Sequence, residues 1–219
     1  MKGTLFIVSG PSGAGKSTFI NKILSEKSNY LFSISHTTRA PRGNERDGVE
    51  YFFVNKETFL SMVDKNQFLE YANVHDCYYG TSSKFIIQNL EKGCNVIIDI
   101  DFQGAKIIKD KLKDSDYKII SIFVMPSDYS SLKSRLINRD TDSYDVIKKR
   151  LNNAIIEIEN FTFYDYTIIN KDITTAYSDF ESIFRANQLT TPNMEQQALN
   201  IIKNYKDKLE GEKNGKSHN

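Results

Sequence analysis

The chain has 219 residues, 39% of them hydrophobic and 26% charged, which is the balance of a globular protein long enough to bury a proper interior. A formal net charge of +1 supplies no global field for nucleic acid or an anionic membrane, so any basic work must be local. Two cysteines (Cys77 and Cys94) and three histidines make neither a CxxC pair nor a metal cluster, and no apolar run has the length of a membrane span or the flanks of a signal peptide, so a cytoplasmic protein with reduced thiols is expected.

Thr4 to Ser9 is an apolar, β-branched run of strand length. After Gly10, the residues Phe19, Ile20, Ile23 and Leu24 recur at helical spacing to about Glu26. Between this strand and helix lies Gly10-Pro11-Ser12-Gly13-Ala14-Gly15-Lys16-Ser17-Thr18, a full match to GxxxxGK[ST]. Glycines let backbone N–H groups curl around a phosphate, and the helix N-terminus adds partial positive charge. Lys16 can then reach the β- and γ-phosphates of a nucleotide while the Ser17 hydroxyl takes a place on Mg²⁺.

A short strand is expected at 31–34. Residues 35–48 are polar, basic and turn-rich and lead into an aromatic strand at 49–54. A helix (56–64), an apolar stretch from Phe68 to Val74 and the run Tyr78-Tyr79-Gly80-Thr81 follow. This segment, 35–82, does not alternate strand with helix and reads as an inserted, strand-rich lobe. From Ser83 alternation resumes: helix to 90, strand 95–101, helix 103–112, strand 118–125, helix 127–137, helix 143–160, strand 166–170 and helix 174–188. Such alternation predicts an α/β fold with a parallel sheet flanked by helices, a P-loop core made of 1–34 and 83–190. Residues 194–209 are amphipathic and helical, and 211–219 form a charged tail with too little apolar surface to order itself.

Within the lobe, Arg39 and Arg42 flank Ala40-Pro41, and the proline favours extended geometry that can aim two guanidinium forks the same way. With the Tyr51 hydroxyl they form a candidate site for a second phosphate; the alternative is a solvated basic loop. Asp99 and Asp101 leave the C-terminal end of a buried strand, at the rim where ligands of open α/β sheets bind. Asp99 suits a hydrated Mg²⁺, and Asp101 suits either a ligand or the N-cap of the next helix. Arg135 and Arg139 lie four apart on one helical face, with Arg150 beyond; the alternative for all three is pairing with Asp142, Asp145 or Glu157.

GPSGAGKST, SHTTRAPRGNERDGVEYFF, FLEYANVHDCYYGTS, VIIDIDFQGA and YDYTIIN, in this order, closely resemble the guanylate kinase family from Thr4 to about Gln188. The resemblance implies transfer of a phosphoryl group from Mg·ATP to GMP. Its implied catalytic residues are Lys16, Arg39, Arg135, Arg139 and Arg150, the last three on a lid at about 135–150. It further implies that Arg39, Arg42, Tyr51 and Tyr79 hold the GMP phosphate, that Glu45 supports the arginines, and that Ser35, Glu70, Thr81 and Asp101 surround the base. ATP and GMP are the partners implied, with neither nucleic acid nor membrane. One departure is Asp140, where the family usually has glycine after the second lid arginine.

Guanine presents N1–H and N2–H₂ as adjacent donors, so a carboxylate such as Glu70 can accept two bonds where adenine would leave it unpaired. Two other classes compete. In a GTP switch, Asp101-Phe-Gln-Gly104 would serve as DxxG and Asn170-Lys171-Asp172 would approach NKxD, although its acid comes one residue early. A non-catalytic peptide-binding module would typically lose the loop lysine, and Lys16 is retained.

Overall fold

β1 (Thr4–Ser9) is buried along its whole length because it lies at the centre of a sheet covered on both faces. The computed structural model describes residues 2–74, 76–137 and 144–215. β1 pairs in parallel with β7 (Asn95–Asp99) on one side and β8 (Lys118–Pro126) on the other; β2 (Tyr30–Phe32) continues beyond β7 and β9 (Tyr166–Asn170) beyond β8. The order β2-β7-β1-β8-β9 reverses direction at β1. A crevice therefore opens above the carboxyl ends of the strands, where Ser9 and Asp99 stand.

The helices α1 (Lys16–Glu26), α3 (Ser83–Glu91), α4 (Phe102–Leu112), α5 (Tyr129–Ile137) and α6 (Tyr144–Glu159) alternate with these strands. Their apolar spacing sets what they bury: Ile86 and Leu90 from α3 and Ala105 and Ile108 from α4 join Leu5, Ile7, Val96 and Phe123 in one core.

A second sheet, β4-β3-β6-β5, grows from the segment between β2 and α3. It consists of β3 (His36–Thr37), β4 (Phe52–Phe53), β5 (Phe68–Val74) and β6 (Cys77–Ser82), with α2 (Lys56–Asp64) packed through the fully buried Phe59, which stacks on Phe68 and Tyr78. The chain enters this sheet through 33–35 and leaves it at 82–83. Only Phe52–Phe53 of the aromatic stretch expected at 49–54 pairs as a strand. Its earlier residues are turned instead: the Asp47 carboxylate accepts the Phe53 amide at 2.8 Å, the Glu50 carboxylate accepts the Arg46 amide at 2.6 Å, and Gly48 sits at φ 73°.

From Ser178 onward the described residues form a second compact unit. They comprise most of α7 (Ile173–Gln188), where Phe180 and Phe184 pack ring to ring, and α8 (Thr191–Gly215), whose Leu199, Ile201, Ile202 and Tyr205 are exposed. The loose tail expected from Gly211 is corrected over 211–215, which α8 carries as helix; 216–219 lie outside the described residues. One glycine costs about 1 kcal/mol relative to alanine, too little to stop a helix already propagating.

Candidate functional site

The loop between β1 and α1 owes its shape to what crowds it. Gly10 is at φ 136° and a Cβ there would stand 2.1 Å from the Val124 carbonyl; Gly15 is at φ 107° and its Cβ would stand 2.5 Å from the Asn170 side-chain amide. Gly15 caps α1 without any side-chain bond, so the first-turn N–H groups of α1 face the loop. Asn170, buried at the end of β9, donates to the Ala14 carbonyl at 2.7 Å. Arg135 donates to the Ala14 carbonyl at 3.5 Å and to that of Asn170 at 3.2 Å, and Arg150 donates to the Ser12 hydroxyl at 2.9 Å.

The loop encloses a cavity of about 440 Å³ lined by Gly10, Ser12, Gly13, Gly15, Lys16 and Ser17 and, across from them, by Tyr51, Asp99, Asp101 and Glu157. The Lys16 ammonium donates to the carbonyls of Gly10 (2.5 Å) and Pro11 (3.3 Å) and lies 3.7 Å from the Asp99 carboxylate. Asp99 sits low in the crevice with 32% of its side chain still open to the cavity; desolvation raises its pKa and Lys16 opposes that rise. Burial likewise raises Glu157.

A second cavity of about 410 Å³ adjoins the first, and Tyr51, Asp99, Ile100 and Asp101 line both. Ser33, Ser35, Glu50, Glu70 and Tyr79 add to its polar wall. Glu70 is only 7% exposed and accepts a hydrogen bond from the buried Thr81 hydroxyl. Desolvation is the main reason its pKa is raised; the Thr81 bond pulls the other way. Behind Tyr51, the Arg39 guanidinium lies 5.3 Å from the ring centroid and pairs with both Glu45 oxygens at 3.0 and 2.9 Å. This pair raises the Arg39 pKa and lowers that of Glu45.

The geometry thus brings Lys16, Ser17, Asp99, Asp101, Tyr51, Tyr79, Glu70 and Ser35 around one double cavity, with Thr81, Arg39 and Glu45 directly behind. Asp101 does both things its position allows, since its carboxylate caps α4 through the Gly104 amide at 2.8 Å while lining both cavities. The Arg42 amide donates to Glu45 at 2.8 Å, and its exposed side chain lines neither cavity. Thr18 is exposed and lines neither cavity. Pro11 and Ala14 serve through their carbonyls. Arg139 and Asp140 lie outside the described residues.

Sequence reasoning missed Ser33 and Glu50 on the wall of the second cavity, and also Asn170 and Glu157. Asn170 ends a strand at the same sheet rim as Asp99, and Glu157 follows Arg150 by seven positions, two helical turns along one face. The elements of the switch-like reading have other uses: Asp101 and Gly104 form a helix cap, and Asp172 accepts the Thr175 amide at 2.8 Å. Asn170→Ala would remove a buried donor from the Ala14 carbonyl. Stability is expected to fall by about 1–3 kcal/mol, read as a lower midpoint in thermal unfolding.

The family model for guanylate kinase matches residues 2–187. The guanylate kinase of Vibrio parahaemolyticus is 48% identical over 190 residues, covering 86% of this chain and 90% of the relative. That of Pasteurella multocida is 43% identical over 204 residues, covering 92% and 96%. The crystal structure of guanylate kinase from Anaplasma phagocytophilum superposes with a TM-score of 0.69 at 33% identity, over 87% of this chain and 88% of the other. A phosphate loop facing a buried carboxylate across one shared wall, on a sequence matched over residues 2–187, has one consistent assignment: this chain belongs to the guanylate kinase family.

Proposed function

We propose that the two cavities divide the reaction between them, the phosphates of ATP lying in the loop cavity and GMP in the cavity of Glu70, so that the γ-phosphoryl group passes across the shared wall to give ADP and GDP. The observation that carries this reading is the wall itself. Tyr51, Asp99, Ile100 and Asp101 touch both spaces, so a donor in one can meet an acceptor in the other. Lys16 exchanges its bonds to the Gly10 and Pro11 carbonyls for phosphate oxygens, and the open amides of α1 hold the remaining charge.

The donors fit Mg²⁺, a hard cation that binds through few protein oxygens: the Ser17 hydroxyl and the Asp99 carboxylate line the same cavity. When bound, the ion neutralises charge on the β- and γ-phosphates. Arg135 and Arg150 stand at the back of the loop, at Ala14 and Ser12, where they fix its shape and add positive charge. Arg139 is assigned to the same lid on the resemblance alone.

Arg39, supported by Glu45, acts with Arg42, Tyr51 and Tyr79 on the GMP phosphate, while Ser35, Glu70, Thr81 and Asp101 read the base. In this division residues 35–82 carry GMP, 1–34 with 83–190 carry ATP, and 191–219 extend beyond both. The attacking group is already an anion, so alignment and charge neutralisation suffice without a strong general base. The partners are small molecules, ATP and GMP, and the proposed setting is the cytoplasm; among the described residues no helix is long and apolar enough to cross a membrane.

A coupled ADP-release assay with GMP, AMP, CMP and UMP tests the reading. ADP formation is expected with GMP and at most a trace with the others. Release that ignores the acceptor, or that is equal with AMP, overturns it.

A further inference from the structure

A third cavity, of about 310 Å³, lies at the joint between the two sheets. Its walls are unlike those of the nucleotide cavities: the rings of Phe32, His36, Phe52 and Phe85 and the side chain of Ile34 make most of them. His36 lies flat enough against Phe52 (centroids 4.9 Å apart) to extend the aromatic surface, and desolvation holds its pKa down, so the ring stays neutral and the wall apolar at neutral pH. Phe52 and Phe85 remain 38% and 37% exposed.

The polar part of the lining is small and of one sign. Lys84 sits in the first turn of α3, where backbone N–H groups add partial positive charge, and no acid among the described residues lines the cavity. Among the described residues Lys84 forms no ion pair. Size, aromatic walls and a single positive rim match a flat aromatic ring system carrying one negative group.

The position of the cavity matters as much as its chemistry. Phe32, Ile34 and His36 flank the connection 33–35 into the second sheet, and Ser82, Lys84 and Phe85 flank the connection out of it. Both covalent links between the sheets therefore pass through its walls. We infer that this cavity is a second ligand site, for an aromatic monoanion, whose occupant braces the two connections between the sheets. This does not rest on the nucleotide assignments, since only Phe32 is common to this cavity and the one containing Glu70.

The full chain titrated with 2-naphthoate by calorimetry tests it. One saturable site per chain is expected, unchanged in saturating ATP or GMP. Gln88→Trp fills the cavity from an exposed position that tolerates substitution, and is expected to abolish binding. Lys84→Gln is expected to weaken binding by about threefold to fivefold, the contribution of one exposed charge pair. Hydrogen exchange should slow at the amides of both 33–35 and 82–85 when the ligand is bound. Absence of binding, displacement in proportion to nucleotide occupancy, full affinity in the Gln88→Trp protein, or unchanged exchange at both connections would each overturn the inference.

Discussion

Lys16→Ala is expected to lower turnover by about 10²- to 10³-fold while the KM for GMP stays near that of the parent protein. The ammonium is already delivered to the loop mouth: it is bonded to the Gly10 and Pro11 carbonyls and lies 3.7 Å from Asp99, on the shared wall. What the substitution removes is a positive charge that counts most as negative charge moves between the phosphates. The cavity containing Glu70 has no Lys16 in its lining, so capture of GMP should persist. Steady-state kinetics with each substrate varied separates the two. Near-normal turnover would remove Lys16 from the mechanism, and a large rise in the KM for GMP would relocate it.

Glu70→Gln should cost roughly 10³-fold or more in kcat/KM for GMP, because an amide that keeps the shape of the carboxylate replaces an acceptor with a donor opposite two donors of the base. The same change has an opposite effect on stability. Burial raises the Glu70 pKa, so the folded chain holds a proton in a pH range where the unfolded chain, titrating at the ordinary carboxylate value, has lost it. Stability therefore falls as pH rises through that range, and the neutral amide avoids the loss. Thermal unfolding midpoints of Glu70→Gln should exceed those of the parent above this range, with the gain vanishing below it. A variant that is both sturdier and unable to use GMP marks a residue kept for recognition; unchanged GMP kinetics would sink the assignment.

Much of this site can be read along the chain because its parts are local. Gly10 to Ser17 carry their spacing, their glycines and their flanking strand and helix within one short segment, and Asp99 and Asp101 follow a strand whose apolar run is unmistakable. The parts that escaped depend on distant neighbours. Asn170 reaches Ala14 across 156 positions, and Glu157 enters the loop cavity only because α6 folds back over it. Arg39 and Arg42 have the same local sequence signals, yet Arg39 is gathered in by Glu45 and Tyr51 while the Arg42 side chain stays exposed. Strand pairing in 49–54 is confined to Phe52–Phe53 because the amides of Val49 and Glu50 bond back to the Arg46 carbonyl in a turn and so do not enter a ladder.

The bond from Asn170 to Ala14 also bears on where this loop could be moved. Its curvature is borrowed from the last strand of the sheet, so grafting the nine residues onto a foreign scaffold would carry over the letters without the grip. A shorter descendant of this chain lacking the final strand would keep a perfect nucleotide signature and bind nucleotide poorly. Signature and competence can thus part company in a genome, and the asparagine is the position that tells the two apart.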